Sequence, residues 1–299
     1  MSDRLPVILD TDIGSDIDDA VALAYLLRQP RCELVGVTTV TGDVNKRAAM
    51  AEILCREGGR TDVPIHAGAS SVLLTGCGQP SVPQYDAVQD RPHRRDWPAM
   101  TAIDFLRSTI RRRPGEITLL TIGPLTNIAL LFAIDPELLT LVKQVVSMAG
   151  VFFPDRQADP FKVQREWNVF VDPIASAMVY RARAKDHLSV GLDVTLKCQL
   201  PADEVRRRFT VAPLPTVLAM AEVWFKHQKT ITFHDPLAAA LLFDPTLCSY
   251  ETGEVIVPLD ANPKLEGQSL FTPSAAGPHR VAKTVDAARF FDHYFSVFS

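Results

Sequence analysis

Short apolar, β-branched runs recur along the chain with amphipathic stretches between them, and the two periodicities sort most of it into strands and helices. VILD at 7–10, LVGVTTV at 34–40, VPIHAG at 63–68, ITLLTIG at 117–123, VVSMAG at 145–150 and LSVGLDV at 188–194 lack a polar face, as strands covered on both sides do. The residues at 20–27, KRAAMAEILCREGG at 46–59, MTAIDFLRSTIRRR at 100–113 and PTVLAMAEVWFKHQK at 215–229 carry helical patterns; the second ends on a glycine stop and the third on basic residues before Pro114. This alternation predicts βαβ units, hence an α/β fold with a mainly parallel sheet and helices on both faces. After His234 the pattern changes: GEVIVPL and HRVAKTV flank a Pro- and Gly-rich segment, and VDAARFFDHYFSVF closes as a helix. The stretch 69–98 has no clear periodicity, and a loop of that length is expected to be either a functional lid or disordered. No gap reads as a domain linker, so residues 1–299 are expected to form a single domain.

Composition narrows the classes. With 47% apolar and 22% charged residues and a net charge of −4, the chain offers no basic field for nucleic acid or an anionic membrane. The local runs RRRP at 111–114 and RRR at 206–208 ride predicted helices and read as solvated faces. No apolar run reaches membrane-spanning length, and MSDRLPVILD lacks a signal-peptide layout, so a cytoplasmic enzyme is expected. Five scattered cysteines with no C-x-x-C pair argue against a disulfide framework or a zinc site and read as small core residues.

The chemistry concentrates after the first strand, where Asp10, Asp12, Asp16, Asp18 and Asp19 fall within ten residues. Two unit charges about 4 Å apart repel by roughly 1 kcal/mol in water and by more near a protein surface, so such a cluster needs a cation, a shared proton or open solvent. Solvated turn acids plus a helix cap would be the plain alternative, but capping uses one or two aspartates. The cluster also lies at the C-terminal end of a strand, where open α/β sheets build ligand sites. Other strand ends supply TGDVN at 41–45, GPLTN at 123–127, REWN at 165–168 and FHDPLA at 233–238. Oxygen ligands with one imidazole and no thiolate suit Ca²⁺ or Mg²⁺.

D-T-D-x-G with D-D-A, G-P-L-T-N at 123–127, E-x-N at 166–168 and H-D-P-L-A at 234–238 together resemble the inosine-uridine preferring nucleoside hydrolase family, nearly end to end. The resemblance implies a Ca²⁺-dependent N-ribohydrolase on a Rossmann-like core, acting on a purine or pyrimidine ribonucleoside. It implies that Asp12 ligates calcium and takes the proton of the attacking water, that Asp19, the Thr126 carbonyl and Asp235 complete the protein ligands, and that Asp18, Glu166 and Asn168 grip ribose hydroxyls. His234 matches the imidazole beside the leaving base, and Asp10 a supporting group behind the metal. Cleaving an N-glycosidic bond through an oxocarbenium-like ribosyl cation requires this inventory on chemical grounds too.

The chain departs from the family pattern in several places. The aspartate loop is two residues longer than the compact form, so Asp16 competes with Asp18 for the ribose role or supports the loop from behind. Asp43 stands where an Asn follows T-V-x-G and is expected at the substrate. The H-G-x-x-G segment is absent from 69–98, where His93 has no motif around it, and the Asn expected near the ribose 5′ end has no match in PDRQADPFK at 154–162. Met148 and Trp167 are expected as pocket wall or core, and Trp224 as core. A homodimer or homotetramer is the expected assembly. Two other functions remain open: a haloacid-dehalogenase-like phosphatase with Asp10 as nucleophile, and a non-catalytic calcium- and ribose-binding protein.

Overall fold

The structure is a computed structural model that describes residues 4–153, 165–259 and 266–299; the segment at 154–162 therefore lies outside the described residues. Its strands are β1 (Leu5–Thr11), β2 (Cys32–Thr39), β3 (Ile65–Ala67), β4 (Thr118–Thr121), β5 (Gln144–Met148), β6 (His187–Val190), β7 (Gln199–Pro201), β8 (Thr230–Thr232), β9 (Cys248–Ile256), β10 (Leu270–Pro273) and β11 (His279–Val285). The helices are α1 (Asp18–Arg28), α2 (Val44–Glu57), α3 (Thr101–Arg112), α4 (Thr126–Ile134), α5 (Leu138–Leu141), α6 (Trp167–Val171), α7 (Pro173–Ala182), α8 (Leu192–Thr195), α9 (Ala202–Arg208), α10 (Leu214–Trp224), α11 (His234–Leu241) and α12 (Ala287–Ser296).

One nine-stranded sheet runs in the order β10-β9-β11-β6-β5-β4-β1-β2-β3, and β7 pairs with β8 in a separate small ribbon. From β11 to β3 all pairings are parallel, while β9 and β10 close one edge antiparallel. The expected parallel α/β core is therefore present. Val7 to Thr11 of β1 are buried, as a central strand under helices on both faces requires. Helix α1 is buried along almost its whole length, beginning with two aspartates and ending with Arg28, which complements its dipole.

Several elements are shorter than their apolar runs. β3 starts only at Ile65, because Pro64 has no N–H to give the ladder. The run at 188–194 stops pairing at Val190, after which Gly191 turns the chain into the short α8. Of the cysteines, Cys32, Cys55, Cys198 and Cys248 are buried as expected, but Cys77 is exposed on the 69–98 loop.

Chain order and sheet order together place the site. The chain builds outward from β1 through β2 to β3, then returns to the other side of β1 with β4 and continues to β5 and β6. The helical connections diverge at the β1/β4 boundary, and a crevice opens outside the carboxyl ends of the strands at such a switch point.

Candidate active site

A cavity of about 500 Å³ occupies that crevice, lined by Asp12, Ser15, Asp16, Asp18, Asp19 and Asp235 on one side and by Met148, Glu166, Asn168, Trp167, Trp224 and His234 among others. Its volume falls in the range of small-molecule sites, about 300–1,000 Å³. Asp12 follows directly on β1, Asp18 and Asp19 form the first turn of α1, and Asp235 the first turn of α11. Gly123 makes the approach of the β4 end possible: a Cβ there would stand 2.9 Å from the Asp12 amide nitrogen and 3.0 Å from its Oδ1.

Carboxylate oxygens of Asp18, Asp19 and Asp235 lie within 4.8 Å of one another, all three residues being buried. Burial first, and then repulsion from neighbouring aspartates, raises all three well above the ordinary carboxylate range. Burial also raises Asp12, with Arg47 opposing, and raises Asp16 to about 6. Few neutralising contacts relieve the trio: Thr11 Oγ1 donates to Asp19 Oδ1 at 2.5 Å, and the Asp235 amide to Asp18 Oδ2 at 3.1 Å. Buried hard-oxygen donors with frustrated ionisation fit a divalent cation, and this cluster could hold one. Asp12 lies on the same cavity floor, outside that trio.

The opposite wall is built from helix caps. Glu166 is the N-cap of α6, accepting from the amides of Asn168 (2.7 Å), Val169 (3.0 Å) and Gly150 (3.1 Å); burial nevertheless raises its pKa to about 7. Asn168 spends its amide nitrogen on the Ile122 and Met148 carbonyls, both at 3.0 Å, which leaves Oδ1 to accept from a ligand. His234 opens α11; its Nδ1 meets the Thr195 hydroxyl at 2.7 Å, and burial lowers it to about 4, so the ring is neutral near pH 7.

Asp10 is 2% exposed and takes no part in the cavity lining. Its Oδ2 accepts from Thr38 Oγ1 (2.5 Å) and Asn127 Nδ2 (2.7 Å), and burial raises its pKa to about 7. Asn127 also donates to the Thr39 carbonyl (3.1 Å) and accepts from the Ala69 amide (2.9 Å), so one amide joins β1, β2 and the start of the long loop.

Over residues 7–292 the chain matches the model of the inosine-uridine preferring nucleoside hydrolases. It belongs to that family. It is 30% identical over 277 residues to the probable uridine nucleosidase 2 of Arabidopsis thaliana, covering 85% of this chain and 82% of that one. To the non-specific ribonucleoside hydrolase RihC of Klebsiella pneumoniae it is 34% identical over 261 residues, covering 82% and 81%. Among solved structures, the plant nucleoside hydrolase PpNRh1 superposes with a TM-score of 0.83 at 25% identity, covering 99% of both chains. The chain is thus an enzyme of ribonucleoside N-glycosidic hydrolysis.

Some residues of this nucleoside hydrolase stand elsewhere than their motifs suggest. Asp43, expected at the substrate, is instead the N-cap of α2: it accepts from the Lys46 amide at 3.0 Å, pairs with the Lys46 ammonium at 3.8 Å, and does not line the cavity. Asp16, for which a ribose role beside Asp18 and a supporting role were both open, lines the cavity together with Asp18. Trp224 packs against the core, as expected, and also lines the cavity, its Nε1 donating to the Thr230 carbonyl at 2.9 Å. Thr126 opens α4 with its hydroxyl donating to Asp172 at 2.7 Å and is not part of the lining. His93 pairs with Tyr85 at 3.0 Å, away from the cavity. The motifs missed Arg47, Gln79 and Ser81. Arg47 had a readable signal, since it sits three, four and seven residues before Met50, Ala51 and Leu54 on the buried face of α2.

Proposed function

We propose that this chain hydrolyses purine or pyrimidine ribonucleosides to free base and ribose with calcium at the aspartate cluster and Asp12 as general base. The observation that carries the reading is the cavity itself, which brings a buried carboxylate cradle against a hydroxyl-gripping pair and an imidazole. Names of relatives that specify uridine and others that specify no base support a site open to more than one nucleobase.

Asp12, Asp19, Asp235 and the Thr126 carbonyl are the proposed ligands. Bound calcium would supply the positive charge that balances the carboxylates, and would acidify a water and engage the sugar's vicinal hydroxyls. The chain's own groups do the rest. Asp12 accepts the proton of the attacking water, from a place on the cavity lining beside the other carboxylates. Asp18, with Oδ2 already accepting from the Asp235 amide, keeps one oxygen for a ribose hydroxyl. Glu166 and the free Oδ1 of Asn168 accept from the sugar's hydroxyls on the other side. In the tautomer where His234 Nδ1 accepts from the Thr195 hydroxyl, the neutral ring would carry its proton on Nε2, available to relieve charge on the departing base.

Against the phosphatase reading stands the position of Asp10: a nucleophile must reach substrate, and this carboxylate is enclosed by Thr38 and Asn127. Against a non-catalytic binder stands the presence of both Asp12 and His234 in the cavity lining. The deciding experiment is incubation with a panel of ribonucleosides, with calcium and with chelator, assaying reducing sugar. Calcium-dependent ribose release supports the proposal; phosphate release from nucleotides without ribose release overturns it.

A further inference from the structure

The two departures from the family pattern, the longer aspartate loop and the rebuilt 69–98 segment, meet at one side chain. Arg47 is fully buried, yet among the described residues none of its hydrogen bonds goes to a carboxylate. Nε donates to the Thr41 carbonyl at 2.8 Å. Nη1 donates to the Asp12 carbonyl, to the Ile13 carbonyl at 2.9 Å and to Ser15 Oγ at 3.2 Å. Nη2 donates to the Gln79 carbonyl at 2.7 Å. One planar fork thus ties the aspartate loop, the turn after β2 and the cavity wall contributed by the long loop.

Contacts around the fork repeat the same connection. The Gln79 amide donates to Thr41 Oγ1 at 3.0 Å, Ser15 Oγ to the Ser81 carbonyl at 3.0 Å, and Gln84 Nε2 to the Ser15 carbonyl at 3.0 Å. The turn is shaped for this approach: Gly42 has φ +64°, and a Cβ on it would stand 2.2 Å from the Gln79 carbonyl oxygen. Drawing the Asp12 and Ile13 carbonyls inward to the guanidinium fixes the backbone that aims the Asp12 carboxylate at the cavity. Gln79 and Ser81 line that same cavity.

We infer that Arg47 is a positioning residue that sets the direction of the Asp12 carboxylate and holds the Gln79–Ser81 wall in register with the metal-binding floor. The inference rests on the proposed calcium-dependent reaction for its catalytic meaning, but its geometry is independent of turnover. A lysine would preserve the charge and not the fork, since one ammonium cannot span three segments in a plane.

The test uses the full chain with Arg47→Lys and Arg47→Met, each studied well below its own melting temperature. Calcium affinity of the metal-free protein is measured by calorimetry, beside kcat and KM for a ribonucleoside. Partners that orient metal ligands typically change affinity about 10- to 100-fold when removed, so both variants should bind calcium at least about tenfold more weakly, with kcat falling more than KM rises. Folded Arg47→Lys with parental calcium affinity and parental kcat would overturn the inference and leave Arg47 a space-filling residue. The parent supplies a measurement that survives misfolding of either variant: calcium added to metal-free protein should slow amide exchange at Gln79 as well as at Ile13. Slowing at Ile13 alone would also overturn it. A parent that binds calcium in this Arg47-dependent way but releases no ribose would sink the proposed reaction and leave the positioning role intact.

Discussion

The floor and the rim of the cavity are built on different principles. The floor comes from ends of regular elements, with Asp12 at the end of β1, Asp18 and Asp19 opening α1, and Asp235 opening α11; all are buried at 3–6% exposure. The rim comes from Gln79, Ser81 and Pro83 of an irregular loop and from Trp167, which is 48% exposed. Element ends packed against a core allow little choice of residue, whereas a loop and an exposed ring can change without disturbing the sheet. The floor is therefore suited to what every ribonucleoside shares and the rim to what distinguishes one base from another.

The largest effect should come from cutting the floor. Asp12→Asn keeps the side chain's size and an oxygen, but loses the proton acceptor, so turnover should fall by about 10²- to 10⁴-fold in a steady-state ribose-release assay. Asp10→Asn should cost less, because its partners Thr38 and Asn127 lie away from the cavity. The reverse ranking would mean that floor and support have been exchanged.

Metal removal comes next, and pH sharpens it. In the metal-free chain Asp10 and Glu166 are raised to about 7 and Asp16 to about 6, so the folded state binds these protons more tightly than the unfolded state does. Stability from this source is fully present below the ordinary values of 3.8 and 4.5 and is lost as pH rises to about 7. Melting temperature in chelator should therefore fall across that window. Calcium at about 100 times its Kd would return about 2.7 kcal/mol and flatten the decline. A metal-free melting curve that climbs with pH over this range would contradict the assignment.

His234 lies between the two regions and should show a mixed phenotype. His234→Ala should slow inosine and uridine, whose bases leave poorly, far more than an activated nitrophenyl riboside that needs no help in leaving. Equal losses on both substrates would place the imidazole with the groups proposed to hold the sugar.

The smallest effect belongs to the rim. Trp167→Ala removes a ring worth about 0.5–1.5 kcal/mol in aromatic contact, so KM should rise by about 2- to 12-fold and vary with the base, with calcium affinity unchanged. A change in calcium affinity would show that rim and floor are not separable at this position.

The same division explains what could be read in the sequence. Runs such as ITLLTIG and the acidic D-x-D and D-D pairs mark where strands stop and helices start, so both the parallel sheet and the residues of the floor were legible. Helix-cap chemistry accounts for the place of Asp43, where Asp before an amphipathic helix accepts from the Lys46 amide and stays outside the cavity lining. The loop part of the rim was illegible because 69–98 has no periodicity to fix which side chains turn inward, whereas Trp167 was marked by its place inside E-x-N. Arg47 was hidden by expectation, since a cation in a helix is usually solvated, and only its place on an apolar face argued otherwise.

Asn127 carries a consequence of another kind. Its side chain meets Asp10, Thr39 and Ala69 across 117, 88 and 58 residues of chain. Contacts of such separation close large loops and lose much entropy before they are rewarded, so they belong to slow, late steps of folding. A growing polypeptide that has completed β1 and β2 still lacks the amide that fixes Asp10 beneath the future floor. Over that interval the acidic loop must exist without its frame, and the order of synthesis delays assembly of the site until the residues of α4 have been made.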